Sequence, residues 1–152
     1  MEQNQDIKKD LLLAGQELLK QQIQDIKQQL TNLQESSESE EKSSAGDKYE
    51  THQEMLNQSR NMLEKSLEKN KMMLAQLNAT PIKKMDKVQE GALVKLNVGT
   101  LWISTALGKL SVNGADYQLV SRDSPLVSAI LNLEKGEKYS FRGKQETILE
   151  IF

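Results

Sequence analysis

The chain has 152 residues, with 20 Lys and Arg against 22 Asp and Glu, a formal net charge of −2. That length allows one ordinary domain, or one small domain plus an extended element, and the near balance excludes a protein that coats nucleic acid through its overall field. With no cysteine and a single histidine, His52, a disulfide scaffold, a thiolate zinc site and a multi-histidine metal centre are excluded, and a Ser-His-Asp enzyme would have to use His52 as its base.

No apolar run is long enough to span a bilayer. The first residues, Met1 to Leu13, mix acids with lysines and offer no small-residue cleavage site behind an apolar stretch, so they do not read as a secretion signal. The expectation is a cytoplasmic protein with no membrane partner.

Along the first half, Leu12, Leu19, Ile26 and Leu33 lie seven apart, with Ile23 and Leu30 between them. Leu56, Leu63 and Leu77 resume the pattern, with Leu67 and Leu74 interleaved and Asn70 on the same stripe. This alternation gives a narrow apolar seam, which suits paired helices, and a buried Asn on it would fix register. The segment Gln34 to Asp47, rich in Ser, Glu and Gly, separates the two stripes, so residues 1–80 predict an antiparallel coiled-coil hairpin with an acidic tip near 35–50. Arms of about 27 residues would be roughly 40 Å long. The Met residues of the second arm read as flexible filler.

Pro81 ends the second helix, and residues 81–87 predict a linker. Residues 88–152 hold five of the six aromatics and six of the eight glycines, a composition for strands and turns. Ala92–Val98 and Leu101–Thr105 are β-prone runs. Asn113-Gly114 signals a tight hairpin between Lys109–Val112 and Tyr117–Val120. Ser124 caps a short helix with Pro125 in its first turn, running through Leu131. Gly136 breaks the chain before Lys138–Arg142, and Thr147–Phe152 predicts a last strand. Trp102 reads as a core residue. The fold class is therefore α+β, a helical hairpin followed by a small sheet domain with one short helix.

Divided by segment, the charge is uneven: residues 1–30 carry −1, 31–54 carry −5, 55–87 carry +4 and 88–152 carry zero. Acid collects at the tip of the hairpin and base on its returning arm. Carboxylates are hard ligands of the kind Mg²⁺ prefers, and one or two on a long arm can complete a shell begun elsewhere. Asp47 and Glu50 stand one helical turn apart. On the basic arm, Arg60, Lys65, Lys69 and Lys71 are the candidates for nucleic-acid contact, a salt-sensitive interaction if it forms.

Several stretches of the second half carry a resemblance: Val88, Gly91, Val94 and Leu96; then Ser121 with Ser124-Pro125-Leu126; then Ala129-Ile130-Leu131; then Lys135-Gly136-Glu137; and the closing Ile148 to Ile151. With the hairpin preceding it, the sequence resembles the bacterial Gre family of transcript-cleavage elongation factors over nearly its whole length. The resemblance implies an FKBP-like C-terminal domain that docks on RNA polymerase near the rim of the secondary channel, here through the region of Ser121, Ser124, Pro125 and Leu126. It also implies a hairpin that passes down that channel, and tip carboxylates that help to hold a second Mg²⁺ while the polymerase hydrolyses backtracked RNA. Under it the protein is a monomeric accessory factor rather than an enzyme. It would bind no cofactor alone, and it would meet the elongation complex with its nascent RNA and DNA.

Two alignments of the tip remain open. By spacing, Asp47 and Glu50 take the family's catalytic places. If Tyr49 and Glu54 are laid on the family's tyrosine and following glutamate instead, those places fall on Lys42 and Ala45, and Glu40 and Glu41 are the nearest carboxylates. The second alignment describes a channel-binding regulator that does not promote cleavage. A coiled-coil interaction or chaperone-like module without a polymerase role is the alternative from another class. Prolyl isomerase activity would rest on fold likeness alone.

Overall fold

A computed structural model describes the backbone of residues 2–41 and 47–152 and the side chains of residues 6–38 and 50–152. Two long helices, α1 (Glu2–Glu41) and α2 (Asp47–Ala79), precede seven short strands and one short helix. The chain divides into two compact units, Leu18–Met72 on one hand and Met1–Glu17 with Met73–Phe152 on the other. No described helix is long and apolar enough to cross a membrane.

In the unit Leu18–Met72, the heptad stripe is the packed seam. Leu19, Ile26 and Leu56 are buried, while Ile23, Leu30, Leu33, Leu63 and Leu67 are half-buried beside them. The helices are longer than the expected arms, 40 and 33 residues, or roughly 60 and 50 Å at about 1.5 Å per residue. α1 runs through the Ser- and Glu-rich stretch to Glu41 because Gln, Glu and Ser tolerate helix and nothing there forbids it. Ser37, seven residues after Leu30, takes the next seam position. It is buried and its Oγ donates to Gln53 Oε1 at 3.3 Å. Asn70 is buried on the seam as expected. Its Nδ2, however, donates to Ser66 O of its own helix at 2.8 Å, and its Oδ1 has no partner, so no side-chain bond from it links the helices.

The other unit is built on a five-stranded sheet ordered β3 (Gly108–Val112), β4 (Ala115–Val120), β2 (Gly99–Ile103), β1 (Leu93–Leu96) and β7 (Glu150–Ile151). All neighbours run antiparallel except β2 and β4, which are parallel. A separate hairpin pairs β5 (Lys138–Phe141) with β6 (Lys144–Thr147). The Asn113-Gly114 turn forms as expected, both residues having positive φ. The expected last strand is divided: Thr147 ends β6, Ile148 donates its N–H to Glu137 O, and only Glu150–Ile151 joins the main sheet. A second tight turn, Arg142-Gly143, joins β5 to β6 with φ of 52° and 79°.

The core lies between the sheet and α3 (Pro125–Ile130), with Val88, Val94, Ile103, Val127, Ile130 and Ile148 fully buried. Trp102 is also fully buried, and its Nε1 donates to Gly91 O at 3.2 Å. Gly91 has φ +94°, and a Cβ there would lie 2.7 Å from Pro81 O, so only glycine fits this close approach.

The helix ends belong to the same unit. Leu11 and Leu77 are buried, and Thr105 Oγ1 donates to Gln76 Oε1 at 2.7 Å. Lys8 is fully buried, with Nζ donating to Lys83 O at 2.6 Å and Phe152 O at 2.8 Å. Within residues 81–87, Met85 is buried in the core, Lys83, Lys84, Asp86 and Lys87 are exposed, and the Lys87 backbone forms an isolated antiparallel β-bridge with Glu134.

Candidate docking cleft and acidic tip

The turn after β4 places the motif read from the sequence. Ser121 Oγ accepts from Asp123 N at 3.1 Å, and Ser124 Oγ accepts from Val127 N at 3.2 Å, capping α3. Pro125 follows at the first helical position, where its missing N–H costs nothing. The cap leaves Pro125 exposed and Leu126 half-buried.

Ser124, Pro125 and Leu126 form one wall of a cleft of about 560 Å³. Leu101, Val120 and Phe141 add apolar surface, Tyr117 adds a second aromatic ring, and Lys109, Asp116 and Arg142 supply the charge. Ser121 belongs to the turn but does not line the cleft. Lys109 Nζ lies 3.3 Å from Asp116 Oδ2, and the Ser111 hydroxyl also donates to Asp116. That hydrogen bond first, and Lys109 second, hold the Asp116 carboxyl below its ordinary value. The Arg142 guanidinium sits 5.0 Å from the centre of the Phe141 ring, a cation–π distance. Sequence reading found the Ser-Pro-Leu wall and missed Tyr117, Phe141 and Arg142. The Gly after Arg142 was the available signal for the turn that presents them.

At the tip, α2 begins at Asp47, so Asp47 and Glu50 are separated by one turn of helix. Glu50 is exposed. The side chain of Asp47, the fallback carboxylates Glu40 and Glu41, and Lys42 and Ala45 of the second alignment lie outside the described residues. Among the described residues no three His, Asp or Glu side chains gather as a metal site.

The basic arm is not a single patch. Lys65 and Lys69 are four residues apart on one side of α2, whereas Arg60 and Lys71 fall on another, about 140° away at 100° per residue. Lys65, Lys69 and Lys71 are exposed, and Arg60 Nη1 donates to Asn57 Oδ1 at 3.5 Å. These four cations therefore do not line a single face of α2.

No protein-family model matches the chain, and no curated protein matches it. Solved structures do. A crystal structure of the GreA factor homolog 1 (Gfh1) protein of Thermus thermophilus is 20% identical, with 91% of this chain and 95% of that chain covered and a TM-score of 0.37. A structure of the transcription factor Gfh1 is 17% identical, with 91% and 93% covered and a TM-score of 0.39. Scores this low, at such identities, carry no functional argument.

Proposed function

We propose that this chain is a transcription elongation factor that binds RNA polymerase. The sheet unit docks on the polymerase through the cleft walled by Ser124, Pro125 and Leu126, near the secondary channel, and the hairpin enters that channel. The observation that carries the reading is the position of the Ser-Pro-Leu motif. The residues that resemble the Gre docking segment form an exposed apolar wall, held by the Ser124 cap, on a cleft of side-chain size. The helical hairpin, with its charge of −5 over residues 31–54, supplies the reach and the acid that such a role requires.

At the tip, Asp47 and Glu50 would each lend an oxygen to a Mg²⁺ held by the polymerase, which supplies the charge stabilisation for hydrolysis of backtracked RNA. The protein is in this reading an accessory factor acting in the cytoplasm, and the hydrolytic site is the polymerase's.

Retention of the full chain on immobilised core polymerase tests docking; no retention overturns it. Cleavage in a stalled elongation complex tests the tip. Loss of stimulation in Asp47→Ala and Glu50→Ala supports the spacing alignment. Full stimulation in both moves the assignment to Glu40 and Glu41. Binding without any stimulation by the native chain identifies a channel-binding regulator.

A further inference from the structure

We propose that Arg142 makes the cleft selective for a partner segment that carries a carboxylate beside a large apolar side chain. The identity of the partner rests on the polymerase reading above; its chemistry rests on the cleft itself.

The floor asks for an apolar group. Leu101, Val120, Leu126 and Phe141 line a space of about 560 Å³, enough for one or two side chains of an inserted segment. The rim carries three charges with different standing. Lys109 and Asp116 are already paired at 3.3 Å, and Asp116 is further occupied by Ser111. Their charges cancel locally. Arg142 has no acidic partner among the described residues, so it is the one uncompensated charge at the cleft.

Two features fix how Arg142 is offered. Its backbone is held at φ 52° in the two-residue turn with Gly143, closed on either side by the Phe141–Lys144 pair of β5 and β6. Its guanidinium rests 5.0 Å from the centre of the Phe141 ring. No hydrogen bond or ion pair occupies its N–H groups among the described residues, and a guanidinium fork matches a carboxylate in bidentate geometry. An apolar side chain seated against Phe141 would remove water from this fork, where a charge-assisted bond is stronger than in bulk solvent. A lysine on the incoming segment would meet Arg142 with like charge and be rejected.

The test has two arms. In the first, the full chain and its Arg142 variants are titrated against core polymerase. Arg142→Asn suits a positive φ and preserves the turn; it should weaken binding roughly 10-fold to 100-fold. Arg142→Lys keeps charge without the planar fork and should fall between the two. Lys135→Gln, remote in role and paired with Glu150, should bind as the native chain does. In the second arm, the ¹⁵N-labelled full chain is titrated with blocked hexapeptides containing Leu-Asp or Leu-Asn, and with a short oligouridylate. The Leu-Asp peptide should shift the amides of Tyr117, Leu126 and Phe141, and the Leu-Asn peptide should do so several-fold more weakly.

Equal responses to the two peptides, or no response to either, overturn the selectivity, as does unchanged polymerase binding by Arg142→Asn. Stronger shifts with the oligouridylate assign the site to phosphate and overturn it equally. If the peptide responses hold while the native chain fails to bind polymerase, the partner is wrong and the carboxylate selectivity stands.

Discussion

The hairpin unit and the sheet unit bury apolar side chains in different geometries. Between Leu18 and Met72 burial follows a line: each seam residue meets a few neighbours across the pair, and many remain half-exposed. In the sheet unit burial fills a volume, and Val88, Val94, Ile103, Val127, Ile130 and Ile148 have no exposed surface. A linear seam tolerates polar members, and this one includes Ser37, Gln53 and Asn70. In the closed core Trp102 is satisfied by Gly91 O, whereas Ser104 Oγ, just past the end of β2, is buried without a partner. Stability should therefore be lost steeply in one unit and shallowly in the other.

The sharpest break is Trp102→Ala. It empties the largest fully buried side chain and orphans the Gly91 carbonyl, and it should cost about 3–5 kcal/mol. For a sheet unit of this size that approaches the whole stability. Urea denaturation followed by the sheet's amide signals measures it. A loss below about 1 kcal/mol would mean that the unit is not cooperatively packed.

Lys8 tests the sheet unit by pH. Burial lowers its pKa from 10.5 to about 8. Between about 8 and 10.5 the unfolded chain holds a proton that the fold does not, so the Lys8 contribution grows more favourable as pH rises through that window. Below about 8 both states are protonated and the burial penalty is constant. The native chain should gain stability relative to Lys8→Met between neutral pH and pH 10.5. Parallel stability curves for the two proteins would show that the buried amine stays charged.

The hairpin should respond in the opposite direction. Asn70→Leu removes a buried amide whose Oδ1 is unpartnered, and it should stabilise the unit by about 1–2 kcal/mol. Thermal unfolding of the helical signal would register the gain. A loss of stability would mean that Asn70 makes the seam specific by a route other than its bond to Ser66.

What the sequence disclosed follows the same division. The seam was legible because one period carries it over many residues, from Leu19 to Ile26 and from Leu56 to Leu63. Asn113-Gly114 and Ser124-Pro125 were legible because a turn and a cap are set by two adjacent residues. The extension of α1 to Glu41 was not, because the seam turns polar at Ser37 while the helix continues. The parallel pairing of β2 with β4 and the division of 147–152 between two sheets depend on contacts distant in sequence. The cleft was half-legible for that reason. Its Ser-Pro-Leu wall is contiguous, but Tyr117, Phe141 and Arg142 join it only through sheet topology and an Arg-Gly turn that lacks the usual Asn or Asp.

The smallest effect is the most diagnostic for the cleft. Ser124→Ala removes the cap of a six-residue helix and should cost about 1 kcal/mol. Ser124→Asp restores a side-chain acceptor for Val127 N and should recover most of that stability. The comparison separates two roles that one substitution would merge. If Asp recovers both stability and polymerase retention, Ser124 acts by holding Pro125 and Leu126 in place. If it recovers stability alone, either the hydroxyl itself meets the partner or the new carboxylate occupies Arg142 from within the cleft. Adding Ser124→Asp to Arg142→Asn decides between these: relative to Arg142→Asn alone, retention falls further under the first cause and does not change under the second, which requires the arginine.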